Sequence, residues 1–74
     1  MKTLFDAKLG QVCTIVAVKN EDHKSTLRLC ELGFTSGEKV RIVAKSLFGR
    51  AMLIEVKGYL LSIRSNLLKS VVVQ

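Results

Sequence analysis

The chain has no proline and no tryptophan, and only two cysteines and one histidine in 74 residues. Each shortage excludes something. Two cysteines, Cys13 and Cys30, are too few for a disulfide scaffold, and their spacing is not the CxxC of zinc or redox sites. Both sit inside apolar patterns, so buried free thiols in a reducing compartment are expected. One histidine, His23, beside Glu21 and Asp22, provides no set of three or four metal ligands at a recognised spacing, and no nucleophile–base pair stands out around it. The five glycines are isolated and build neither GxGxxG nor GxxxxGK(S/T). The acidic residues are not paired for acid–base work. The expectation is a non-enzyme with no cofactor and no metal site. A direct metal response through Cys13, His23 and Cys30 is a weaker alternative.

Aromatics are scarce as well: Phe5, Phe34, Phe48 and Tyr59. A nucleic-acid-binding barrel is expected to interleave stacking platforms with its basic residues. The net charge of +6 does invite an acidic partner, whether nucleic acid, anionic lipid or an acidic protein face. The twelve basic residues are scattered, however, and the scarce aromatics argue against nucleic acid. No apolar run approaches the ~18 residues of a membrane span. Residues 1–10 carry Asp6 and Gly10 where a signal peptide needs an apolar core. A cytoplasmic protein that does not itself insert into a membrane is expected.

What is present is a 49% hydrophobic chain of one-domain size, residues 1–74, with a marginal core of ~3–5 kcal/mol. Its distinctive stretch is LRLCELGFTSG, Leu27 to Gly37. It reads as a short helix stopped by Gly33. With Gly33 at C′, Phe34 is C″ and Leu29 is C3, the apolar pair of a Schellman motif. Gly37 then closes a second turn. Strand-like runs surround this stretch: residues 11–18, 39–45, 51–57, 59–64 and 69–73. Residues 1–10 read as a leader, with Asp6 as a candidate cap for one helical turn. Residues 19–26 read as a polar loop, with Asp22 or Ser25 as the N-cap of the helix. Residues 65–68 suit a 3₁₀ turn. In the strand 59–64, Tyr59, Leu61 and Ile63 share a face. Gly58 is too short a connector for a crossover, so its two strands are antiparallel neighbours. Five short strands and one helix bury themselves best as a small, partly open barrel, whose open edge leaves room for weak self-association.

The segment Arg28-Leu29, Leu32-Gly33-Phe34 and Gly37 resembles the RLxxLG(F/M)xPG signature of the ferrous-iron transport protein A (FeoA) family. Ile54 to Arg64, IEVKGYLLSIR, is similar to that family's second block, IEVRGY followed by a short strand. Ser36 departs from the family pattern, which often has proline there. The resemblance implies an SH3-like small β-barrel with one inserted helix. It also implies a cytoplasmic accessory of bacterial ferrous-iron uptake whose partner is the FeoB membrane transporter, with a cytoplasmic GTPase domain. The chain would then reach the inner membrane only through that partner. Arg28, Glu31, Phe34 and Thr35 are the candidate partner contacts. Leu29, Leu32, Gly33, Gly37, Gly58 and Tyr59 are expected to shape the fold. The alternatives are a small basic barrel that binds nucleic acid, or a module of an iron-dependent transcription regulator.

Overall fold

A computed structural model describes residues 2–74; Met1, the first residue of the expected leader, lies outside them. The elements follow the order of the strand-like runs. They are a 3₁₀ turn (Leu4–Asp6), β1 (Val12–Val18), α1 (His23–Glu31), β2 (Lys39–Lys45), β3 (Ala51–Val56), β4 (Tyr59–Arg64), the short α2 (Ser65–Leu68) and β5 (Val71–Val73). The strands form one antiparallel sheet in the order β4-β3-β2-β1-β5. The fold is mainly β, a small partly open barrel with one inserted helix.

The sheet curls into a partly open barrel around β1, which pairs with β2 on one side and with β5 on the other. The first half of β1 pairs with β2, Val12 opposite Arg41 through Thr14 opposite Lys39. Pairing with β5 begins at Ile15, opposite Val73, and a register break between Ile15 and Ala17 interrupts it. A second break, between Ile42 and Ala44, bends β2. An extra residue at such a bulge increases the local twist, which lets five short strands wrap around a core. β1 is apolar on both faces, so its pattern alone does not orient it. Cys13 and Ile15 are buried, whereas Val12 and Val16 are exposed.

The core is one cluster drawn from every strand, with Leu4, Ala7, Leu29, Phe34 and Leu68 completing it from the non-strand segments. The polar end of the leader is fixed by Asp6, which accepts from the backbone and the hydroxyl of Thr3 at 3.2 Å each. That local bond seats Leu4 in the core.

Four expectations need correction. Residues 23–26 are helix rather than loop: Asp22 accepts from Lys24 N–H at 3.2 Å, and α1 begins at His23. Ser25 instead donates its hydroxyl to Asp22, at 2.8 Å. The first turn is polar because it faces solvent, and that hid it from an apolar-periodicity reading. Cys30 is exposed, and only Cys13 is a buried thiol. On α1 only Leu29 is buried, and Cys30 points away from it by about 100° of helix rotation. Residues 65–68 form a single α-turn in place of a 3₁₀ turn. Tyr59 is exposed, at the start of β4, and only Ile63 of its expected face is buried.

Candidate functional site

The Leu27–Gly37 stretch builds its geometry from the glycine outward. Gly33 has φ +109°, a conformation that disfavours a side chain. That backbone lets Gly33 N–H donate to Cys30 O and Phe34 N–H donate to Leu29 O, both at 3.0 Å. These are the two bonds of a Schellman stop, with Leu29 at C3 and Phe34 at C″. Both side chains are fully buried. Gly33 is also crowded: a Cβ there would meet Lys57 Cδ and Cε and Val56 Cγ2 at 3.3 Å. Helix end and β3–β4 turn are therefore packed against each other.

The chain then turns again. Glu38 N–H donates to Thr35 O at 3.1 Å across Ser36 and Gly37, and Gly37 has φ +88°. A positive φ at the third residue marks a type II turn, which places Ser36 at the position proline favours. Gly37 N–H donates to Ile15 O at 2.8 Å, tying the turn to β1. The Lys57–Gly58 connector has positive φ at both residues, 52° and 81°. That matches a type I′ hairpin, where glycine serves the second position.

This scaffold leaves a groove of about 380 Å³ between α1 and the β4–α2 segment. Leu32, Leu61 and Leu67, all partly buried, supply apolar walls. Arg28 and Arg64, both exposed, line it with charge. Neither arginine takes part in the ion pairs found among the described residues, which join Arg41 to Glu55 at 3.1 Å and Lys57 to Glu38 at 3.7 Å. β4 is an edge strand, so its outer backbone groups have no neighbouring strand.

Of the four candidate contacts, the structure brings only Arg28 to this groove. Glu31 and Thr35 are exposed but outside its lining. Phe34 is corrected: at zero exposure it is a core residue and touches no partner in the folded state. Sequence reasoning missed Arg64, Leu61 and Leu67, which fold back beside the helix from thirty or more positions along the chain. A signal for two of them was available, since Leu61 and Arg64 fall inside the second block, Ile54 to Arg64.

For metal chemistry, the described residues contain no group of three or more His, Cys, Asp or Glu gathered together. Cys13 is in the core, and His23 and Cys30 lie at opposite ends of α1. No described helix is long and apolar enough to cross a membrane.

The FeoA domain family model matches residues 2–74. Among solved structures, FeoA of Stenotrophomonas maltophilia, complexed with zinc, superposes with a TM-score of 0.89 at 32% identity, over 100% of this chain and 91% of that one. That protein is described as a prokaryotic SH3 domain protein and a candidate ferrous-iron transport activating factor. FeoA of Chlorobium tepidum gives 0.87 at 25% identity, over 99% of this chain and 69% of that one. A manganese-dependent transcriptional repressor gives 0.90 at 15% identity. This chain covers 99% of itself but 35% of the repressor, a likeness of fold alone. No curated protein matches the sequence.

Proposed function

The chain belongs to the FeoA family, which is associated with ferrous-iron transport and is not a known enzyme family, and from that membership we propose that it is an accessory protein that docks on the cytoplasmic, GTPase-containing region of a FeoB-type transporter and modulates transport. The observation that carries this reading is the groove beside α1. Its apolar walls are Leu32, Leu61 and Leu67, its cations are Arg28 and Arg64, and it lies beside the free edge of β4. Such a site suits an extended segment with apolar side chains and carboxylates. Apolar contacts fill the groove, carboxylates meet guanidinium groups in paired hydrogen bonds, and the segment's backbone can continue the sheet at β4. Arg28 has the first role among the candidate contacts. Glu31 and Thr35 flank the same helix end and would meet only a larger partner surface. The proposed assembly takes place in the cytoplasm, at the membrane through the partner.

The test is titration calorimetry of the chain against the transporter's cytoplasmic region, with wild type and a variant carrying Arg28→Glu and Arg64→Glu. The reading expects binding for the wild type and at least a tenfold loss for the variant. No binding by the wild type would end it.

A further inference from the structure

At the far end of the sheet from the Lys57–Gly58 turn, the β2–β3 hairpin carries Leu47 and Phe48. They are 89% and 79% exposed, more than any other large apolar side chain among the described residues. The hairpin that presents them is well braced. Gly49 N–H donates to Ser46 O at 3.0 Å, and Ala51 N–H donates to Ser46 Oγ at 3.0 Å. From below, Ser65 N–H donates to Arg50 O at 2.8 Å and the Ser65 hydroxyl donates to Gly49 O. The tip is thus an apolar pair standing out from an anchored stem, not a collapsed part of the core.

The charge that lines the cleft beside this hairpin is all of one sign. Arg50, Arg64 and Lys69 line a cleft of about 510 Å³ with Phe5, and Lys69 Nζ lies 4.8 Å above the Phe5 ring centroid. Lys45 ends β2 on the other side of the hairpin. No carboxylate lines the cleft. None of these four cations joins the ion pairs found among the described residues, which lie toward the opposite end of the sheet.

We propose that this end of the barrel docks directly on an anionic lipid surface. Leu47 and Phe48 enter the boundary between headgroups and acyl chains, while Lys45, Arg50 and Lys69 meet lipid phosphates. The two features reinforce each other: apolar side chains gain from leaving water at the interface, and basic ones are drawn to an anionic leaflet. Nucleic acid shares the phosphate chemistry, and Phe48 alone offers it a stacking face; the more exposed Leu47 beside it is aliphatic, stacks on no base and gains only from an apolar phase. The absence of a spanning segment is unaffected, since the contact is interfacial. The proposal does not rest on the transporter reading, and vesicles without protein test it separately.

The experiment is co-sedimentation of the full chain with vesicles of phosphatidylglycerol and phosphatidylethanolamine, against phosphatidylcholine alone, over a salt series. The proposal expects partitioning to the anionic vesicles that falls as salt rises. Lys45→Glu and Arg50→Glu should each weaken it by about fivefold or more. Leu47→Ser with Phe48→Ser should weaken it by about tenfold or more. Because the chain has no tryptophan, Phe48→Trp gives a single reporter whose emission should shift to the blue on anionic vesicles only. All these positions are exposed, and an unchanged melting midpoint separates lost binding from lost folding. Absence of partitioning overturns the proposal. Partitioning that survives loss of Leu47 and Phe48 also overturns it, leaving simple charge attraction. So do competition by inorganic phosphate at millimolar levels, or binding of a mixed oligonucleotide in place of vesicles.

Discussion

The backbone N–H of Phe34 donates to the carbonyl of Leu29 at 3.0 Å, and both side chains are at zero exposure. Together with the Gly33–Cys30 bond, this hydrogen bond ends the helix, and it brings two core residues side by side. It exists only because Gly33, between them, holds φ at +109°.

Gly33→Ala should be destabilising by about 1–2 kcal/mol from the left-handed backbone alone. The contacts its Cβ would make with Val56 and Lys57 add to that, although the Lys57 stem can yield. Urea unfolding should show a lower midpoint with an unchanged slope. An unchanged midpoint would mean that the helix stop does not depend on this residue.

Phe34→Ala should remove ~3–5 kcal/mol, comparable to the whole stability of so small a core. The chain should be largely unfolded by circular dichroism at room temperature. The neighbouring Thr35→Ala, on the exposed side of the turn, should stay within about 0.5 kcal/mol of wild type. A mild Phe34→Ala phenotype would contradict its place in the core.

Asp22→Ala should cost α1 about 1 kcal/mol, because the carboxylate accepts from Lys24 N–H and from the Ser25 hydroxyl. Ser25→Ala should cost less, since it leaves the cap bond in place. Thermal midpoints of the two variants decide the order, and a larger loss at Ser25 would reverse the assignment.

Ser36→Pro should stabilise by about 0.4–1 kcal/mol. The turn from Thr35 to Glu38 has its positive φ at Gly37, which leaves Ser36 at the position where proline fits. A fall in the melting midpoint would show that the backbone of Ser36 is not what a type II turn requires.

The sequence made the strands, the helix stop and both glycine turns legible because each has a local signature. Alternating or β-branched runs marked β2 and β3, and a glycine after the last leucine marked the end of α1. The start of α1 was half legible: Asp22, one of the two candidate caps, is the N-cap, but His23 to Thr26 are polar on a solvent-facing turn and carry no apolar period. Cys30 read as buried because it sits among leucines, yet a helix of nine residues resting on Leu29 leaves its neighbours outside. The candidate site was only half legible. Arg28 belongs to a local motif, but its groove is completed by Leu61, Arg64 and Leu67, and that juxtaposition is a product of the antiparallel β3–β4 pairing and the α2 turn. Phe34 illustrates the converse: a distinctive residue in a distinctive motif turned out to be core.

The central claim is that the groove beside α1 is a docking surface, and calorimetric titration against the transporter's cytoplasmic region tests it most directly. The account predicts binding by the wild type and at least a tenfold weaker affinity with Arg28→Glu and Arg64→Glu at an unchanged melting midpoint. Undiminished binding by the folded double variant would contradict it.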